Sequence, residues 1–324
     1  MRALQIVRPE TVVEVDVPEP SLEREGGLLV QLQHAMVCGT DLPFYAGEQT
    51  ELDYPLAPGM FIHECTGIVV ESRSSRFVPG DRVVALPRDD RGLCRIFEAV
   101  EDEAVHIAED LEDMELAVLA QPLSTVLFAL DKLGDVRGLR VDIVGGGPIG
   151  LLVCWELRRR GAGFLRVMDP VGGRCLMAER LGADRAIRAT AAQVLAMERS
   201  GLSAGPAANI CVEAVGHRET ALNDAVALAA RGGTVLALGV PEPTAYAFVY
   251  ATFFQKNLRL IASITPPWVP YLRRAVELVG RHARELEPLI THRFPVQRAQ
   301  EAYGLARERS GGVCKVALDA RTWQ

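Results

Sequence analysis

One short stretch limits the folds open to this chain more than any other. Val141-Asp142-Ile143-Val144 runs directly into Gly145-Gly146-Gly147-Pro148-Ile149-Gly150, and an apolar segment with helical spacing follows to Arg160. Gly145, Gly147 and Gly150 satisfy Gly-x-Gly-x-x-Gly between a strand and a helix. The first glycine permits the tight turn, the second lets the backbone approach a diphosphate, and the third lets helix and strand pack closely. Pro148 and Ile149 open a helix whose free N–H groups and partial positive charge suit phosphate. The next β-rich run, Leu165–Met168, ends in Asp169, nineteen positions past Gly150. A carboxylate there accepts hydrogen bonds from an adenosine ribose and repels a 2′-phosphate, which favours NAD over NADP, while Arg174 nearby keeps some tolerance for NADP.

The flanking sequence agrees with this unit. Strands expected at 141–144, 165–168, 186–187, 209–213, 233–238 and 258–262 alternate with helices at 148–160, 175–181 and 218–229. That alternation predicts an α/β, doubly wound parallel sheet of the Rossmann type. Val240 and Ser263, at the ends of its last strands, are expected near the nicotinamide because open α/β sheets bind ligands at carboxyl strand ends. The first ~110 residues read differently. Short β-rich runs at 3–7, 11–15, 28–32, 67–70 and 82–86 are punctuated by Pro18-Glu19-Pro20, Pro58-Gly59 and Pro79-Gly80-Asp81, predicting a twisted, partly closed β domain. A helical stretch is expected over 112–133, interrupted at Pro122, and a last helix over 269–282 precedes a β-like tail at 312–318.

Composition narrows the function classes. The 324 residues allow two domains, and the formal net charge of −7 without a basic stripe disfavours nucleic-acid partners. Only 3 of the 35 basic residues are lysines (132, 256 and 315), which reads as a coding bias. No apolar run approaches the ~18–20 residues of a membrane span, and no secretory leader is recognisable, so the expected location is the cytoplasm with no membrane partner. Seven cysteines without a Cys-x-x-Cys pair argue against a disulfide framework.

Two segments carry candidate metal donors: Val37-Cys38-Gly39-Thr40-Asp41 and Ile62-His63-Glu64-Cys65-Thr66-Gly67. Thiolate, imidazole and carboxylate together suit a catalytic zinc with an open position. Taken singly and on spacing alone, Cys38 reads first as a buried apolar residue and His63 as a satisfied core histidine. Asp41 is as readily the cap of a helix beginning near Leu42, and Thr40 as readily satisfies its own turn.

In order along the chain stand Cys-Gly-Thr-Asp (38–41), His-Glu (63–64), Gly-Asp-Arg-Val (80–83), Gln-Pro-Leu (121–123), the glycine turn, and Leu-Ile-Thr-His-Arg-Phe-Pro (289–295). By these motifs the chain resembles the medium-chain dehydrogenase/reductase family, the zinc-type alcohol dehydrogenase-like proteins, in their sorbitol and threonine dehydrogenase-like branch. The resemblance implies a GroES-like twisted β-barrel catalytic domain at 1–125, rejoined by 263–324, and a Rossmann domain at 126–262, with the active site in the cleft between them. It implies that Cys38 and His63 bind one catalytic zinc, that Glu64 is a ligand or close neighbour, and that Thr40 hydrogen-bonds the substrate oxygen. A homodimer or homotetramer acting on a small alcohol or ketone is implied as well.

Several positions depart from the family pattern. Its four-cysteine structural-zinc lobe is missing, only Cys94 remaining between Leu86 and Phe97, so no structural zinc is expected. Gln121 replaces a carboxylate that makes it a doubtful ligand, Pro43 replaces a relay histidine, and Ile62 replaces a glycine. Zinc with Cys38, Glu64 and neutral His63 is formally uncharged, and Gln121→Glu is expected to raise zinc affinity. The resulting expectation is NAD-dependent, zinc-assisted reversible oxidation of a secondary alcohol (a polyol, sugar or cyclitol) to its ketone. The alternatives are a zinc-free NAD(P)-dependent reductase or oxidation–reduction epimerase, and a catalytically inactive NAD-binding protein.

Overall fold

The computed structural model describes residues 1–48, 52–202, 206–217, 219–241, 245–308 and 311–323. It divides into two compact units, Met1–Ser124 with Pro267–Gln324, and Thr125–Pro266.

In the first unit, β1 (Arg2–Arg8) and β2 (Thr11–Asp16) form an antiparallel hairpin. The long strand β3 (Gly27–Met36) pairs antiparallel with β4 (Glu64–Ser72), and β5 (Arg82–Ala85), β6 (Ile96–Val100) and β7 (Ala104–His106) extend the sheet. The short helix α1 (Leu42–Ala46) follows β3. Where one helical stretch interrupted at Pro122 was expected over 112–133, two helices form: α2 (Met114–Ala117) and α3 (Ala120–Asp131). The break falls at Val118–Leu119, and Pro122 lies in the first turn of α3, where its missing N–H costs no intrahelical bond. The stretch Met114–Asp131 has mean hydropathy 1.3 over 18 residues, so one segment does reach the length and apolarity of a span, contrary to the sequence expectation. It is 78% buried inside the fold, as a core helix pair is.

The second unit is a parallel sheet of β8 (Arg140–Val144), β9 (Phe164–Met168), β10 (Arg185–Ile187), β11 (Ala208–Glu213), β12 (Ala229–Ala237) and β13 (Arg259–Ala262). Their order is β10-β9-β8-β11-β12-β13, so the direction of winding reverses between β8 and β11. Helices α4 (Pro148–Arg159), α5 (Gly172–Arg180), α6 (Ala191–Arg199), α7 (Glu219–Leu228) and α8 (Tyr250–Gln255) connect the strands. Arg218, the expected first residue of α7, lies outside the described residues. Leu151–Leu157 of α4 are buried throughout, which closes the βαβ unit. Even the sheet interior carries charge: Arg166 on β9 pairs with Asp142, its register partner on β8, and with Glu198 at 2.6 Å.

The chain then returns to the first unit. Helix α9 (Trp268–Arg281) buries Leu272, Ala275, Val276 and Val279 at helical spacing. After α10 (Ala283–Leu286), β14 (Ile290–Pro295) pairs parallel with β15 (Lys315–Asp319), and α11 (Ala299–Glu308) joins them. β15 adds antiparallel to β3, giving the order β14-β15-β3-β4-β5-β7, with β6 also on β3.

Candidate active site

The first unit gathers three donors. Cys38 follows β3 in a turn closed by Asp41 N–H on the Cys38 carbonyl (3.1 Å), and Glu64 begins the neighbouring β4 with His63 immediately before it. The Cys38 thiol, a His63 ring nitrogen and a Glu64 oxygen all lie within 4.8 Å of one another. Thr40 Oγ1 donates to Cys38 Sγ at 3.1 Å, so its hydroxyl serves the thiol rather than the turn backbone. Asp41 stands at the N-cap of α1 but makes no side-chain cap there. Its buried carboxylate instead accepts the Cys38 N–H at 2.8 Å and lies 3.5 Å from His63 Nδ1. Asp90, on an exposed turn, stands 3.9 Å from the same nitrogen. Carboxylates facing Nδ1 leave the other ring nitrogen for a metal, the usual way a ligating imidazole is oriented. Burial drives the Asp41 carboxyl well above the ordinary range, with His63 pulling the other way. Burial also pushes the Cys38 thiol up, reinforced by Glu64, while Lys315 and the Thr40 hydroxyl pull it back.

Soft thiolate, imidazole and carboxylate at this spacing fit a zinc ion. Glu64, however, is already engaged. It is fully buried, and both its oxygens meet Lys315 Nζ, one of them at 2.5 Å. Burial disfavours the lysine charge, but Glu64 and Cys38 outweigh it and raise the Lys315 pKa. The sequence count of zinc, Cys38 and Glu64 thus omitted two groups, the Lys315 ammonium on Glu64 and the Asp41 carboxylate beside His63.

The second unit presents the glycine turn as expected of a phosphate cradle. Gly145 has φ +99°, and a Cβ on Gly150 would stand 1.9 Å from the Gly145 carbonyl oxygen, so both positions require glycine. Gly147, the N-cap of α4, faces open space, and Pro148 takes the first helical position. Asp169 is buried at the end of β9. Its carboxylate accepts the N–H groups of Gly146 (2.9 Å) and Val171 (2.8 Å), with Arg174 Nη1 at 3.6 Å. At the far strands, Val240 follows β12 half-exposed, and Ser263 follows β13 with a buried Oγ that has no partner among the described residues. A turn that only glycine can make and an orphaned hydroxyl at the carboxyl edge fit a dinucleotide.

Two family models match the chain: the alcohol dehydrogenase GroES-like domain over residues 24–110 and the zinc-binding dehydrogenase domain over residues 148–280. A sorbitol dehydrogenase of Gallus gallus is 26% identical over 328 aligned positions, covering 91% of this chain and 89% of the relative. The fold matches an alcohol dehydrogenase from Thermus sp. ATN1 with TM-score 0.82 at 24% identity, over 99% of this chain and all of the other. A zinc-binding dehydrogenase from Sinorhizobium meliloti 1021, bound to NADP, matches at TM-score 0.80 and 25% identity over 98% of each chain. The chain belongs to the zinc-type, medium-chain alcohol dehydrogenase-like family. It is an oxidoreductase of that type.

Three features of this dehydrogenase escaped sequence reasoning. Lys315 is the first, and its signal was a lone cation inside the apolar run Val313-Cys314-Lys315-Val316-Ala317-Leu318. The other two lysines also make internal contacts: Lys256 Nζ donates to the carbonyls of Val226, Ala227 and Ala229 where α7 gives way to β12, and Lys132 Nζ to Ala262. The second is the role of Ile62, where the family has glycine. Its side chain is fully buried, its N–H donates to the Asp90 carbonyl, and its own carbonyl accepts from Gly92. The residues left between Leu86 and Cys94 thus pack directly against the strand entry that carries His63. The third is Tyr303, whose buried hydroxyl donates to the Phe61 carbonyl two residues before His63. Gln121 is buried in the first turn of α3, where its carbonyl accepts from Ser124 Oγ at 2.6 Å. His34 lines a cavity of about 750 Å³ with Glu115, Arg293, Asp319 and Arg321.

Proposed function

We propose that this dehydrogenase catalyses the NAD-dependent, reversible oxidation of a secondary alcohol, a polyol, sugar or cyclitol, to its ketone with zinc assistance. The observation that carries the reading is the convergence of Cys38, His63 and Glu64 within 4.8 Å, with the Thr40 hydroxyl on the thiol. When bound, zinc would supply Lewis acidity and the nicotinamide cofactor a hydride acceptor. Cys38 and His63 would hold the metal. Thr40 orients the substrate hydroxyl and carries its proton onward. Asp41 fixes the Cys38 turn and the His63 tautomer, and Lys315 restrains Glu64. Gly145, Gly147, Pro148, Ile149 and Gly150 receive the diphosphate, and Val240 and Ser263 the nicotinamide side. Asp169, its carboxyl group on the Gly146 N–H, favours a free ribose 2′-hydroxyl; Arg174 beside it supports residual use of NADP.

We assign residues 1–125 and 263–324 to the catalytic domain and 126–262 to the dinucleotide domain. We further propose a cytoplasmic homodimer or homotetramer; the oligomer is supported by β13, which ends its sheet among the described residues and carries the exposed Leu260, with exposed Ile264 just beyond it. One observation favours the zinc-free alternative, a reductase or epimerase: both Glu64 oxygens are occupied by Lys315. The deciding experiment is metal analysis of protein purified without chelator, followed by a polyol panel with NAD before and after chelation. Stoichiometric zinc and chelator-sensitive turnover are expected. Turnover that survives complete metal removal rejects the zinc-assisted reading.

A further inference from the structure

The carboxyl edge of the parallel sheet holds a second buried acid to which no part of the mechanism above assigns a role. Glu213 ends β11, is only 4% exposed, and faces no cation among the described residues. A buried carboxylate without a counter-ion is expensive unless several donors satisfy it. Here the donors are main-chain groups. Its Oε1 accepts the N–H of Val215 at 2.7 Å and of Gly216 at 2.9 Å, and the Gly239 N–H also faces the carboxylate. The main-chain carbonyl of Glu213 accepts from Leu238 (2.8 Å) and Gly239 (3.1 Å) as well. One residue thereby ties the turn after β11 to the turn after β12.

The two turns touch backbone to backbone. Gly216 has φ +67°, and a Cβ there would come within 2.5 Å of the Val240 carbonyl oxygen. A Cβ on Gly239 would stand 2.0 Å from the Gly216 nitrogen and 2.6 Å from Glu213 Oε2. His217 N–H closes the contact on the Val240 carbonyl at 2.9 Å. The turn after β11 also leans on the phosphate turn, since a Cβ on Gly145 would meet Val215 Cγ2 at 2.9 Å and the Ala214 oxygen at 3.1 Å.

Topology says what this clasp borders. Winding reverses between β8 and β11, and dinucleotides lie across that switch point. With the diphosphate at the start of α4 and the adenosine half toward Asp169 after β9, the other half extends over the turns after β11 and β12. We propose that Glu213 is a positioning residue for the nicotinamide half of the cofactor, its carboxylate locking the Val215–Gly216 turn to Gly239 and Val240. This rests on the dinucleotide reading above and adds a residue that touches neither zinc nor diphosphate.

Calorimetry separates the possibilities with two ligands, NAD⁺ and ADP-ribose, which lacks only the nicotinamide. Glu213→Gln keeps the volume and one accepting oxygen but sets an amide against a backbone donor. Gly239→Ala forces the turns apart from the other side. An unsatisfied buried donor predicts about ten- to hundredfold weaker NAD⁺ binding, with ADP-ribose held within about twofold of the parent protein. Should Glu213→Gln yield no folded protein, Gly239→Ala decides alone. Unchanged NAD⁺ affinity, or parallel loss of both ligands in the folded variants, overturns the inference. Failure of the parent protein to bind either ligand is a different result, and it overturns the dinucleotide reading itself.

Discussion

Replacing Lys315 with methionine removes one half of a buried ion pair and leaves the other in place. Glu64 is fully buried and Lys315 is 2% exposed. Losing one partner of such a pair costs about 3–5 kcal/mol, because the remaining charge is uncompensated. At roughly 2–4 °C per kcal/mol for a unit of this size, the melting transition of the first unit should fall by about 6–20 °C in metal-free protein. Zinc then acts as the missing cation. The variant should recover more of its loss on zinc addition than the parent gains, since Glu64 is released to the metal. Glu64→Gln combined with Lys315→Met should restore most of the metal-free stability, giving a favourable coupling term in the double-mutant cycle. Differential scanning calorimetry with chelator and with zinc reads all four proteins. A metal-free Lys315→Met variant that melts within about 2 °C of the parent refutes the reasoning, because the pair would then carry little charge.

Four further outcomes follow from the same geometry. Asp41→Ala should weaken zinc binding about ten- to hundredfold in a chelator competition, as loss of a carboxylate behind a ligating histidine does; unchanged affinity would mean that His63 is oriented by something else. Gln121→Glu should raise zinc affinity, and superimposable metal titrations of the two proteins would contradict that. Asp169→Ala should raise the NADP-to-NAD ratio of kcat/KM by at least about tenfold, because a charge facing the 2′-phosphate is removed and Arg174 is released; an unmoved ratio assigns specificity elsewhere. Burial holds the Glu213 carboxyl above its ordinary value of 4.5 in the folded protein. The folded state therefore binds more protons than the unfolded between pH 4.5 and the raised value, and stability falls as pH rises through that window. Glu213→Gln lacks this slope, so the stability advantage of the parent over the variant should shrink as pH rises, a trend that denaturant unfolding at several pH values checks.

The legible parts of the site were those written locally. Strand, glycine turn, helix and Asp169 lie within thirty residues of one another, and their periodicity announces a βαβ unit before any coordinates. Cys38, His63 and Glu64 were readable because each sits where a strand of one antiparallel pair begins or ends, so pairing β3 with β4 brings them together. Lys315 was not, because it reaches Glu64 across 251 residues through β15, a strand added to the far side of β3. Asp41 looked like a helix cap, since Asp before an apolar turn usually is one; nearness to His63 won over the local preference. Asp169 was foreseen as an open acceptor, whereas the approach of the glycine turn gives it the Gly146 N–H, a contact no periodicity encodes. The short strands β6, β7 and β14 were missed because they are stabilised by their neighbours in the sheet rather than by their own composition.

The most direct test of the account is a crystal soaked with NAD⁺ and zinc, scanned for anomalous scattering at the zinc edge. The prediction is a diphosphate against the Gly147–Pro148 end of α4, and a single anomalous peak within bonding distance of Cys38 Sγ and a His63 ring nitrogen. A dinucleotide bound away from that turn, or a metal that avoids both Cys38 and His63, would contradict it.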